Sequence, residues 1–144
     1  MDNPVATDAS GTLDETSAVR KLSVLVIEDD TLTRITLCKI FSKMNYTPIE
    51  ACNGFMGLKM YRQHKPDVIV TDLLMPDKEG LETIAEIRAS DKQVKIVAMS
   101  GGGSTQNMSF LNIAKKVGAD YTLSKPFKPA EILGLLQNLR LAGA

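Results

Sequence analysis

From Lys21 onward the chain alternates short unbroken apolar runs with longer stretches in which apolar residues return every three or four positions. The runs are LSVLVI (22–27), a weaker YTPIEA (46–51), DVIVT (67–71), VKIVAM (94–99) and YTL (121–123). Successive side chains of a strand point to opposite faces, so a run that is apolar at every position predicts a strand covered on both sides, as in a parallel sheet. Five helices are predicted between and after these runs. The first, 31–44, aligns Leu37, Ile40, Phe41 and Met44 on one stripe. The second, 54–64, follows Asn53, a favourable N-cap. The third, 79–89, turns Leu81, Ile84, Ala85 and Ile87 inward, and the fourth, 105–117, does the same with Met108, Leu111 and Ala114. The fifth starts at Pro129, a preferred first helical position, and carries Ile132, Leu135, Leu136 and Leu139 towards Leu141.

Five strand–helix units in strict alternation predict an α/β fold with a doubly wound, five-stranded parallel sheet. The right-handedness of such crossovers leaves few topologies. Pro48 cannot donate to a ladder, so the second strand is expected at an edge or to be irregular. Residues 1–20 hold four acids, one Arg and few large apolar side chains, and are expected to form a disordered acidic tail. Residues 21–144 are expected to form one domain, with no output domain after the last helix.

Composition narrows the classes of function. Seventeen basic and seventeen acidic residues cancel, so no basic field invites nucleic acid or an anionic membrane. No apolar run approaches the ~20 residues of a membrane helix, and without a basic then apolar opening segment no signal peptide is expected. Cys38 and Cys52 have neither metal-site nor secreted-framework spacing and read as reduced core thiols of a soluble, cytoplasmic protein.

In open α/β sheets, ligands bind beyond the carboxyl ends of the strands. The first strand ends in Glu28, Asp29 and Asp30, the third in Asp72, the fourth in Ser100, and the fifth runs into Lys125. The fold thus gathers residues almost a hundred positions apart. Carboxylates crowded together repel unless a cation joins them. Mg²⁺, which favours hard oxygen ligands and typically takes one or two carboxylates with water and phosphate oxygens, suits this set. A carboxylate is a competent nucleophile towards phosphorus, and Asp72, on a central strand, is the natural one. Lys125 and the Ser100 hydroxyl could each meet a phosphoryl oxygen. The bland alternative is a buried ion-pair network; clustering at the ligand-binding edge makes it the poorer account.

The segments VIEDD, DVIVTDLLMPDKEG, IVAMSG and GADYTLSKPF, in this order and spacing, resemble the receiver domain of two-component response regulators over residues 22–141. The resemblance implies a flavodoxin-like sheet of order 2-1-3-4-5. It implies Mg²⁺ held by Asp29, Asp72 and the main-chain carbonyl of Leu74, with Glu28 acting directly or through a water. It further implies phosphorylation of Asp72 by a histidine kinase or a histidine phosphotransfer protein, with Ser100, Gly101 and Lys125 contacting the phosphoryl oxygens. A cis Lys125–Pro126 bond and a downstream protein bound through helix four, strand five and helix five are also implied.

The chain departs from the family pattern in places. Glu28 stands where Asp is commoner, and the often aromatic switch position is Thr122, with Tyr121 beside it expected simply to pack. Leu74 and Gly102 offer no base for an attacking water, so loss of the phosphoryl group by self-hydrolysis is expected to be slow. SGGGST (100–105) lacks the spacing and Lys of a nucleotide-binding loop and reads as a mobile loop. Asp30 reads as the N-cap of the first helix, and His64 as a solvated residue at a helix end. Asp77 and Glu79 read as solvated turn and helix-start residues, and Met56, Met60, Met99 and Met108 as core fillers. Two other functions stay open: an aspartyl-nucleophile phosphohydrolase, and a receiver-like binding module that is never phosphorylated. Output to a partner protein, passage along a phosphorelay and a phosphate sink are all compatible with these motifs.

Overall fold

The computed structural model describes residues 21–73, 80–101 and 105–143, by backbone alone at 105–110 and 140–143. The expected tail (1–20), Leu74, Asp77, Glu79, Gly102 and the Met108 side chain lie outside the described residues. The elements run β1 (Ser23–Ile27), α1 (Thr31–Lys43), β2 (Thr47–Ala51), α2 (Gly54–His64), β3 (Val68–Asp72), α3 (Gly80–Ser90), β4 (Lys95–Ser100), α4 (Thr105–Val117), β5 (Tyr121–Ser124) and α5 (Pro129–Gly143). All strand pairs are parallel, in the order β2-β1-β3-β4-β5. This is the 2-1-3-4-5 doubly wound sheet, and β2, with Pro48, stands at its edge.

The unbroken apolar runs are explained by the two cores. Leu25, Ile27, Ile69, Ile96 and Ala98 face one side, packed with Leu58, Ile84, Ile87, Leu111 and Ala114 of α2, α3 and α4. The alternate positions Val24, Val26, Val68, Val70, Val97 and Met99 face the other, against Leu37 and Phe41 of α1 and Ile132, Leu136 and Leu139 of α5. Each buried aliphatic side chain adds about 1.5–3 kcal/mol of transfer free energy relative to exposure, so the three inner strands anchor both layers.

The helix starts follow capping chemistry. Asp30 Oδ2 accepts the backbone N–H of Thr33 at 2.9 Å, and Asn53 Oδ1 accepts that of Met56 at 2.8 Å. His64 closes α2 and is exposed, as expected.

Three expectations about burial need correction. Cys52 is exposed, because β2 stops at Ala51 and Cys52 lies in the turn before the Asn53 cap. Met56, in the first turn of α2, is exposed, whereas Met60 packs on the core and Met99 is buried. Ala85 is exposed and Thr83 is buried in its stead, since the inward stripe of α3 runs through Gly80, Thr83, Ile84 and Ile87. Cys38 is buried as expected, and burial pushes its thiol up to about 11, which keeps it protonated and unreactive.

At the edge remote from the strand ends named above, Arg88 ties α3 to two loops. Its Nε donates to the Gly118 carbonyl at 2.8 Å, Nη1 to that of Val94 at 2.7 Å, and Nη2 to Asp120 Oδ2 at 2.6 Å. Asp120 Oδ2 also accepts the Ile96 N–H at 2.8 Å. Gly118, at φ 141°, leaves room for the Arg88 stem, which a Cβ would strike. Removing the guanidinium strands several carbonyls and one carboxylate. Arg88→Ala is therefore expected to lower unfolding free energy by about 2–3 kcal/mol, read as a lower urea midpoint; an unchanged midpoint would contradict this role.

Candidate functional site

Register alone brings the polar strand ends together. Ile27 pairs with Thr71, so Glu28 is level with Asp72. Asp72 pairs with Met99, one residue before Ser100, and Ser100 pairs with Ser124, one residue before Lys125. Asp72 and Ser100 end their strands as expected and are their last paired residues, because the ladder is made by main-chain groups and tolerates any side chain that finds room. Two backbone bonds extend the frame: the Glu28 N–H donates to the Ala51 carbonyl at 3.0 Å and the Lys125 N–H to that of Ser100 at 2.8 Å. Gly80, opening α3, donates its N–H to the Leu73 carbonyl at 2.9 Å. A Cβ on Gly80 would strike the Asp72 carbonyl, so only glycine lets the helix approach the strand end this closely.

The Glu28 carboxylate is buried, with Oε1 at 2.6 Å from Lys125 Nζ and Oε2 accepting the Asp30 N–H at 3.1 Å. Lys125 Nζ also stands 3.5 Å from Asp72 Oδ2. Burial pushes Glu28 above the usual carboxylate range, opposed by the Lys125 hydrogen bond and assisted by the negative charge of Asp72. Burial works to lower Lys125, but the hydrogen bond it donates to Glu28 and the charge of Asp72 outweigh it and hold the ammonium above its ordinary range. Asp29 is exposed. Ligand oxygens of Glu28, Asp29 and Asp72 all lie within 4.8 Å of one another. At an effective dielectric constant of 20, two unit charges at such a spacing repel by about 3 kcal/mol. One ammonium among three carboxylates leaves that repulsion only partly compensated, and the donor set, all hard oxygens, can hold a metal ion.

Ser100 completes the site. It is 1% exposed, and its Oγ has no hydrogen-bond partner among the described residues. A buried hydroxyl left unsatisfied costs about 1–3 kcal/mol, which suits a donor kept for a ligand.

Of the residues expected at the site, the structure brings together Glu28, Asp29 and Asp72, with Lys125 against two of them and Ser100 on the adjoining strand. Asp30 is set apart: Oδ2 accepts from both the Thr33 N–H and its hydroxyl, at 2.9 and 2.6 Å, and these bonds hold its carboxyl below the usual range. Gly101 is exposed at the start of the next loop. The Lys125–Pro126 bond is cis. Tyr121 packs, half-buried, on the core shared with α1 and α5. Sequence reasoning missed Arg34, whose Nη1 donates to the Glu28 carbonyl at 2.9 Å and whose Nε donates to Glu50 Oε1 at 3.0 Å. In one dimension it looks like any solvated helical arginine; only the fold shows that its face of α1 returns to the ends of β1 and β2.

Lys125→Met should show what the ammonium does for Glu28. Without it the folded-state pKa of Glu28 rises further above the unfolded value, so the fold is weakest where Glu28 is charged and regains stability as pH falls through that raised pKa. The expected loss is about 2 kcal/mol at neutral pH, shrinking on acidification towards the ordinary carboxylate range. A loss that is flat with pH in urea titrations would contradict the pairing.

Comparison with known proteins agrees with this geometry. Residues 24–137 match the family model of the response regulator receiver domain. The chemotaxis protein CheY of Thermotoga maritima is 32% identical over 117 residues, covering 81% of this chain and 95% of that protein. The sporulation initiation phosphotransferase F of Bacillus subtilis is 27% identical over 109 residues, 76% of this chain and 86% of that protein. Among solved structures, the chemotaxis regulator CheY4 of Vibrio cholerae superposes with a TM-score of 0.75 at 26% identity, over 83% of this chain and 99% of that one. A CheY-like receiver domain protein from Methanospirillum hungatei gives a TM-score of 0.75 at 23% identity, over 83% and 93% of the two chains, a likeness of fold alone. With the family model spanning most of the chain and its acidic edge built as described, the protein belongs to the response regulator receiver domains of two-component signalling.

Proposed function

We propose that this chain is a phospho-acceptor that works as a stand-alone receiver, taking a phosphoryl group on Asp72 from a phosphohistidine of a histidine kinase or phosphotransfer protein. The observation that carries the proposal is the placing of Asp72 between two further carboxylates, within 4.8 Å, and the Lys125 ammonium, at 3.5 Å. The CheY and phosphotransferase F relatives, whose own length the match nearly fills, support a receiver that passes its signal to another protein.

In the proposed transfer a carboxylate oxygen of Asp72 forms the new O–P bond while the N–P bond of the phosphohistidine breaks. The electron pair returns to the imidazole, which is protonated from solvent. Glu28, Asp29 and Asp72 are the residues that would hold Mg²⁺, with the Leu74 carbonyl proposed alongside; the all-oxygen donor set fits this ion. Bound there, the ion supplies charge neutralisation for the phosphoryl oxygens. Lys125, already shared between Glu28 and Asp72, would swing its ammonium to a second oxygen. The unpartnered hydroxyl of Ser100 would donate to a third, with the start of the following loop at Gly101 beside it. A changed contact at Ser100 would in turn bias the loop that follows and the face formed by α4, β5 and α5, where the downstream partner is proposed to bind. Glu28, Asp29, Asp72 and Lys125 thus serve one site, in a protein proposed to be cytoplasmic; among the described residues no helix is long and apolar enough to cross a membrane. The side chains at 74 and 102, Leu and Gly, cannot orient an attacking water, so the acyl phosphate should persist.

Incubation with Mg²⁺ and acetyl phosphate or phosphoramidate is expected to add the mass of one phosphoryl group to the wild type. Asp72→Asn should abolish the gain, and EDTA should prevent it. No modification of the wild type would favour a binding-only module, and rapid turnover of small phosphate esters would favour a hydrolase; either result overturns the proposal. Decay of the isolated phosphoprotein within seconds would contradict the slow hydrolysis expected of Leu74 and Gly102.

A further inference from the structure

We propose that Arg34 is a positioning residue for the acidic site, fixing the peptide that presents Asp29. The inference rests on the metal-dependent reading above and adds a residue that touches none of the reacting groups. Asp29 is the one acid of the cluster that is exposed, and no hydrogen bond or ion pair orients its carboxylate among the described residues. Its direction must therefore come from the backbone on either side. The carbonyl before it, that of Glu28, accepts Arg34 Nη1 at 2.9 Å. The amide after it, that of Asp30, donates to Glu28 Oε2 at 3.1 Å, while the Asp30 side chain caps α1. The backbone flanking Asp29 is pinned at both ends, and Arg34 is the pin on the amino-terminal side.

Arg34 is itself held. Its Nε donates to Glu50 Oε1 at 3.0 Å, and its side chain is 16% exposed against 52% for Glu50, so the guanidinium is largely enclosed between α1 and the ends of β1 and β2. The Glu28 N–H already donates to the Ala51 carbonyl at 3.0 Å, one residue beyond Glu50. A planar guanidinium can serve a carbonyl on one strand and a carboxylate on the next in a fixed geometry. A lysine ammonium in the same place carries the charge but not the fork. Groups that orient metal ligands without touching the metal commonly change affinity by about 10–100-fold when removed.

The test is Mg²⁺ binding to the unphosphorylated full chain, followed by calorimetry, together with the thermal midpoint in EDTA, for wild type, Arg34→Gln, Arg34→Lys and Glu50→Gln. Arg34→Gln is expected to weaken Mg²⁺ binding about tenfold, beyond any effect explained by a lower midpoint. Arg34→Lys should also bind several-fold more weakly although the charge is kept, and it serves as the deciding variant should Arg34→Gln fail to fold. Glu50→Gln, which keeps the acceptor for Nε, should stay close to wild type. Wild-type affinity in a folded Arg34→Gln with only its midpoint lowered, or full wild-type affinity in Arg34→Lys, would overturn the proposal. A wild type that binds no Mg²⁺ would instead contradict the metal-dependent reading beneath it.

Discussion

Covering both faces of the sheet with helices confines charge to the two edges where the strands end, and the acids of the site gather at the carboxyl edge. Val24 through Ile27, Val68 through Val70 and Ile96 through Met99 are buried almost completely, in alternation between two cores. An ionised side chain anywhere along those segments would face low-dielectric surroundings without water or partner, at a cost of several kcal/mol. At the strand ends the same parallel register that aligns the aliphatic layers also aligns Glu28, Asp72, Ser100 and Lys125. The site is a consequence of how the core is packed.

Lys125 holds that edge in balance. A single ammonium bonds the buried Glu28 carboxylate at 2.6 Å and reaches Asp72 at 3.5 Å. Two carboxylates compete for one cation, and a third, Asp29, adds to the negative field. Anything that brings positive charge to the acids frees Lys125 to turn towards Asp72, and anything that adds negative charge at Asp72 draws it away from Glu28. In the proposed function these are the metal ion and the phosphoryl group, and the competition for the shared lysine is what would couple their arrival to Ser100 and the α4–β5–α5 face. Glu28 in place of the shorter Asp matters here, because the longer side chain reaches Lys125 while its other oxygen still holds the Asp30 amide.

Much of the architecture was legible in one dimension, for physical reasons. Unbroken apolar runs reported two-sided burial, Pro48 reported an edge, and Asp30 and Asn53 reported helix starts. The gathering of Glu28, Asp29, Asp72, Ser100 and Lys125 followed from strand ends alone. Burial in single turns was less legible: Cys52 and Met56 are apolar enough for a core, yet they fall where β2 has ended and α2 has barely begun. Ala85 failed because its small size suits either face, whereas Thr83 buries a hydroxyl that hydropathy would place outside. Arg34 was invisible because its partners are a backbone carbonyl and an edge-strand carboxylate, which no spacing pattern records.

Asp72 is the proposed acceptor, and reductive trapping can locate it. Treating the protein with Mg²⁺ and acetyl phosphate, then with tritiated borohydride, converts an aspartyl phosphate to homoserine, and peptide mass spectrometry locates it. Homoserine is expected at position 72 alone. Homoserine at Asp29 or at any other carboxylate, or a protein that carries phosphate but yields no homoserine, would contradict that assignment.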